Sequence, residues 1–176
     1  MSALPPSLRA AQMVGIVSAG WISGNIAAFS ANVVPGLLRS RREEHYPASS
    51  LVKQWRNFFE NGRAQNPPIV ALSAAAFLYL AWSVRPGSSG ASHVPYNSAL
   101  WYCAAAALTL GTIPFTLIVM NRTNEALAQK AKCDAESVNK DHEEVDRLVR
   151  KWKTLNGVRS LLPLLGCIAG VVAIVS

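Results

Sequence analysis

The chain has 176 residues, of which 51% are hydrophobic and only 15% charged, too apolar and charge-poor for an ordinary soluble domain. Its formal charge of +7 does not describe a nucleic-acid surface, because nearly all Lys and Arg lie in residues 35–67 and 121–159 together with all ten acidic residues. Mixed signs on two loops make a solvated surface and not a phosphate-binding stripe, so no nucleic-acid partner is expected.

Four stretches are almost free of charge: Ala10–Val34, Pro68–Val84, Ala99–Met120 and Leu161–Val175. Each approaches the roughly 20 residues that cross a bilayer, the second and fourth being shorter. The expected fold is all-α: a four-transmembrane-helix bundle with an interfacial amphipathic helix and a helical cytosolic extension between spans three and four. The spans fall at about residues 10–34, 68–84, 99–120 and 156–175, in one integral membrane domain over residues 1–176. Basic loops on one side place those loops in the cytosol and both termini in the lumen. The first apolar run is longer than a signal-peptide core, so it reads as a retained anchor in the endoplasmic reticulum or a related endomembrane.

In span one, Ser18, Trp21, Asn25, Phe29 and Asn32 share a helical stripe, and Gly20 and Gly24 offer a close-packing face. Asn25 and Asn32 either hydrogen-bond between helices or line a cavity shared with the fourth helix. Pro35-Gly36 is expected to end the span, and His45 lies in the charged loop after it. Ser49 or Ser50 then caps a helix running to Asn61-Gly62, with Leu51, Val52, Trp55, Phe58 and Phe59 as its apolar stripe. A short basic amphipathic helix of this kind lies in the membrane interface; its aromatics equally suit the roof of a pocket.

Pro67-Pro68 opens span two, where Tyr79 and Trp82 read as interface anchors. Residues 85–97 form a Gly-, Ser- and Pro-rich connector. In span three Pro114 predicts a kink, and Asn121 and Asn124 share a face at its cytosolic exit. Residues 125–152 read as a polar helix in which Asp141 and Glu144 resemble a capping box. Its Val145, Leu148, Val149 and Trp152 form an inner stripe.

That helix runs into the last span through Lys151–Gly166, where Trp152, Asn156, Arg159 and Pro163 succeed one another at steps of three or four. A guanidinium at the mouth of a span either snorkels to the interface or faces a polar cavity. Asn156 and Asn124 favour a site. The three cysteines, Cys103, Cys133 and Cys167, lie far apart, and the chain has no Cys-x-x-Cys. There is no glycine-rich phosphate loop, no His-Glu-x-x-His, no histidine pair for haem or iron and no Gly-x-Ser-x-Gly. Neither a metal site nor a resident cofactor is expected.

Several motifs together resemble a known family. They are Gln54-Trp55 with Gly62 and Pro68, Pro114-Phe115-Thr116 leading to Asn121, Asn124 and Leu127, and Trp152-x-x-x-Asn156-x-x-Arg159. The pattern resembles the small four-span proteins whose named members are the fungal anthrone oxygenases of polyketide gene clusters, and it covers nearly the whole chain. The resemblance implies cofactor-independent oxidation of a polyketide anthrone, such as emodin anthrone, to its anthraquinone by dioxygen. On it Arg159, Asn156 and Asn124 become donors to a developing oxyanion, and Trp152 and Trp55 stack on the rings. His45, a residue type suited to proton abstraction, becomes the base. Gln54, Asn121, Asn25 and Asn32 complete the substrate-binding set. The implied partners are the aromatic substrate, dioxygen and the bilayer, with oligomer formation left open. The competing reading is a non-catalytic tetraspan partner or scaffold of a biosynthetic membrane complex, or a small-molecule carrier.

Overall fold

The computed structural model describes residues 4–175, and every regular element among them is helical. Helix α1 is Pro6–Glu43, with a π-helical turn at Phe29–Val33. Helix α2 is Ala48–Ser83, and α3 is Ser98–Val119 with a second π turn at Phe115–Val119. Short helices α4 (Asn121–Lys130) and α5 (Ala135–Lys140) precede α6, His142–Val175. Helices α1, α3 and α6 are long and apolar enough to cross a membrane. In α2 the apolar part is confined to residues 68–83, shorter than the roughly 20 residues a span needs.

Two expected breaks are absent. Pro35-Gly36 does not end α1: the turn before it widens, with the Val34 N–H donating to the Phe29 carbonyl. A proline ring presses on the carbonyl four residues back, and a wider turn gives it room. The second π turn likewise adjoins a proline, Pro114, and the Met120 N–H donates to the Phe115 carbonyl at 3.2 Å.

The separate amphipathic helix is also corrected, because α2 runs unbroken through Asn61-Gly62 and Pro67-Pro68. The two prolines deprive the carbonyls of Arg63 and Ala64 of partners, and both of those residues are exposed, so solvent can take the bonds. Of the apolar stripe, Leu51, Val52 and Trp55 are buried in a core shared with α4, α5 and α6. The Ser49 N–H donates to Asn139 Oδ1 at 3.0 Å.

Residues 125–152 do not form one helix. The chain turns at residues 131–134, and Asp134 caps α5 by accepting from the Ser137 N–H at 2.9 Å. Asp141 and Glu144 each grip the Lys130 ammonium at 2.7 Å. Those hydrogen bonds, Asp141 first, hold Lys130 above the usual lysine range.

The chain forms two compact units. The first comprises Met1–Gly24, Asn66–Ile113 and Ser160–Ser176. Its core is tight because small residues let side chains and backbones close in. A Cβ on Gly15 or Gly170 would lie 2.8 or 2.7 Å from the ring of fully buried Phe77, and one on Gly166 would meet Thr109 Oγ1 at 2.5 Å. Gly20 has only Cys167 Sγ nearby, at 3.7 Å, and Gly24 nothing within 4 Å, so the close approach lies elsewhere than the expected Gly20/Gly24 pair. Serine hydroxyls donate across helices to carbonyls: Ser23 to Ser160 (2.9 Å), Ser73 to Gly15 (2.9 Å) and Ser98 to Ala173 (2.6 Å). The second unit comprises Asn25–Gln65 and Pro114–Arg159 and has its own core around Trp55, Leu51, Leu127, Val145 and Trp152.

Candidate functional site

Within the second unit, α6 brings Trp152, Asn156 and Arg159 to successive positions of one face, as their spacing predicts. Trp152 is buried and donates its Nε1–H to Asn124 Oδ1 at 3.0 Å. Asn156 is 1% exposed and spends its amide protons on α1, donating to the Ile26 carbonyl (2.9 Å) and Ser30 Oγ (2.8 Å). Its Oδ1 therefore turns to Arg159, whose Nη2 donates to it at 2.7 Å. The other arm, Nη1, donates to Thr116 Oγ1 at 2.8 Å.

Arg159 therefore does not snorkel. Both terminal nitrogens are engaged by protein, and Nε is buried with no hydrogen-bond partner among the described residues. Both acceptors are neutral, and none of the ion pairs among the described residues includes Arg159. A guanidinium out of water normally requires a counter-charge. Here an amide and a hydroxyl hold it in place, and no carboxylate among the described residues pairs with its charge.

Around Trp152 the unit is aromatic. Trp55 is fully buried, stacked on Phe59 at 4.8 Å and edge-on to Trp152 at 6.0 Å. Phe58 lies 5.5 Å from Trp152 and stacks on Phe29 at 4.9 Å. Phe59 thus occupies one face of the Trp55 ring, and the buried Trp55 Nε1–H has no partner among the described residues.

The remaining predicted residues are dispersed. His45 is exposed in the α1–α2 turn with a positive φ of 54°, and no hydrogen bond joins it to Asn156 or Arg159. Gln54 and Asn32 are exposed, and Asn25 is half-buried. Asn121 is exposed and donates to Glu125 Oε1 at 2.9 Å, although its neighbour on the face, Asn124, is buried. The stripe drawn through Asn25, Phe29 and Asn32 assumed α-helical spacing, and the π turn breaks that phase after Phe29. Sequence reasoning gave no role to Ser30 or Thr116. The usable signal was a proline beside each of the two hydroxyl-bearing segments.

These features define an all-helical membrane protein whose polar site is built around an inward-held guanidinium. Among the described residues, no cluster of three or more His, Cys, Asp or Glu could hold a metal ion. Residues 55–169 match the family model described as anthrone oxygenase. The chain is 32% identical over 173 residues to anthrone oxygenase encC of Aspergillus fumigatus, covering 92% of this chain and 91% of that protein. It is 32% identical over 166 residues to an anthrone oxygenase of Claviceps purpurea, covering 93% and 88%. With the noranthrone monooxygenase of Aspergillus flavus it shares 28% identity over 164 residues, covering 93% and 72%. No solved structure matches. The chain belongs to the anthrone oxygenase family. The matched segment contains Trp55, Thr116, Asn124, Trp152, Asn156 and Arg159, whereas Ser30 and His45 lie outside it.

Proposed function

We propose that this chain oxidises a polyketide anthrone to its anthraquinone with dioxygen, using Arg159 to stabilise the anthrolate oxygen. The observation that carries the reading is the Arg159 guanidinium, held by Thr116 and Asn156, with neither a counter-charge nor a partner for its buried Nε–H among the described residues. The methylene opposite an anthrone carbonyl is acidic because its conjugate base is an aromatic anthrolate. Loss of that proton to solvent base puts negative charge on the carbonyl oxygen, where a preorganised cation lowers the barrier most. The electron-rich anion then passes one electron to dioxygen, and the resulting pair combines into a carbon–oxygen bond. Protonation gives a hydroperoxide. Loss of its remaining C–H proton with cleavage of the O–O bond yields the new carbonyl and water, so one methylene and one dioxygen become one carbonyl and one water.

Asn156, its two amide protons taken by Ile26 and Ser30, acts in this reading by holding the guanidinium, and Trp152, with its N–H fixed by Asn124, supplies aromatic surface. His45 is left out, being exposed and unconnected to the pair. We read residues 68–84 as a fourth span, the Lys- and Arg-bearing segments as cytosolic and the membrane as an endomembrane, on the charge asymmetry.

The test is turnover of emodin anthrone in air by purified, detergent-solubilised protein, above the spontaneous rate. Arg159→Ala lowers it roughly 10²–10³-fold, as for loss of one oxyanion donor. Arg159→Lys recovers little, because an ammonium does not reproduce a planar fork. No rate above the spontaneous one, or near-normal turnover in both variants, overturns the reading.

A further inference from the structure

We infer that the two π-helical turns position the Asn156–Arg159 pair, with Ser30 and Thr116 as the positioning residues through which they act. This deepens the oxidation reading and rests on it.

Each turn supplies one hydroxyl to the pair. Ser30 is the second residue of Phe29–Val33, and Thr116 is the second residue of Phe115–Val119. Ser30 Oγ and the Ile26 carbonyl take the two Asn156 amide protons at 2.8 and 2.9 Å. A carboxamide has only those two protons, so its oxygen is left facing Arg159. Ser30 thereby sets which end of the amide the guanidinium meets. Thr116 fixes the opposite arm at 2.8 Å. Held at both terminal nitrogens, the planar fork cannot swing, and its Nε edge keeps one orientation.

A π turn carries an extra residue, which rotates the remainder of the helix by about 100° relative to an uninterrupted α-helix. Such turns are rare and concentrate at functional sites. This chain has two among its described residues, each beside a proline, Pro35 or Pro114, and each bearing on the same side-chain pair. π turns placed at random along α1 and α3 would have no reason to converge in this way.

The experiment compares Thr116→Val, Thr116→Ser and Ser30→Ala with the wild type, measuring kcat, KM and melting temperature in detergent. Thr116→Val keeps the side-chain shape but removes the acceptor. Because a small misplacement of a catalytic group costs up to about 10²-fold, kcat and kcat/KM should fall together by roughly 10–100-fold. Thr116→Ser should restore most of the rate, and Ser30→Ala should lower kcat in the same direction. Should Thr116→Val fail to insert, Ser30→Ala carries the comparison. Wild-type kcat in folded Thr116→Val, or Thr116→Ser as slow as Thr116→Val, overturns the inference. A wild type without turnover sinks the oxidation reading alone. The positioning claim is then decided by emodin binding, monitored through tryptophan fluorescence: weaker binding in Thr116→Val than in Thr116→Ser supports it, and equal binding overturns it.

Discussion

Asn156→Ala tests how much of the second unit rests on one amide. The side chain is 1% exposed, donates at 2.9 Å to the Ile26 carbonyl and at 2.8 Å to Ser30 Oγ, and accepts from Arg159 at 2.7 Å. Neutral hydrogen bonds contribute about 1 kcal/mol each, and one to a charged group about 1.5–3 kcal/mol. Their loss together comes to roughly 4 kcal/mol, a large share of a typical stability of about 5–15 kcal/mol. For a chain of this size that corresponds to a fall in melting temperature of roughly 8–16 °C. Thermal unfolding in detergent, monitored by circular dichroism, reads it. Ser30→Ala removes a single neutral bond and should cost far less, and the double variant should melt close to Asn156→Ala because the two share that bond. An Asn156→Ala protein melting within a degree or two of wild type would refute the reasoning. It would mean that water replaces all three partners and that Arg159 is not held through this amide.

Packing and topology can be tested separately. Gly170→Ala and Gly15→Ala each drive a methyl into the Phe77 ring, at 2.7 and 2.8 Å, and should cost about 1–3 kcal/mol by overpacking. Gly24→Ala, with nothing within 4 Å, should be neutral or mildly stabilising in the same melting assay. If residues 68–84 span the membrane, cysteines introduced near Ser88 should be labelled from the lumenal side and those near His45, before α2, from the cytosolic side. Labelling of both from one side would exclude that span.

The helical class, the candidate spans α1, α3 and α6, and the Trp152–Asn156–Arg159 face were legible because period and charge segregation are local properties of a sequence. Arg159 turning inward was not, since snorkelling and inward placement share one spacing and differ only in the presence of Thr116. The prolines misled in the opposite sense. Pro35 read as a stop and Pro67-Pro68 as the start of a new helix, yet the first is accommodated by a π turn and the pair lies inside α2 where the residues four back are exposed. Asn32 rested on the same assumption of regular α spacing, and its exposure shows where that spacing fails. Ser30 had no signal of its own, because its role depends on which carboxamide lies opposite it.

The burial of Phe77 against Gly15 and Gly170 has a consequence for how the chain can vary over time. Neither glycine can gain a methyl while the ring stays, and the ring cannot shrink without leaving a void, so each first step is harmful by itself. A smaller residue at position 77 would make alanine at 15 or 170 favourable, filling the space the ring gave up. Substitutions at these three sites should therefore be inherited as linked sets across relatives, with one change permitting the next.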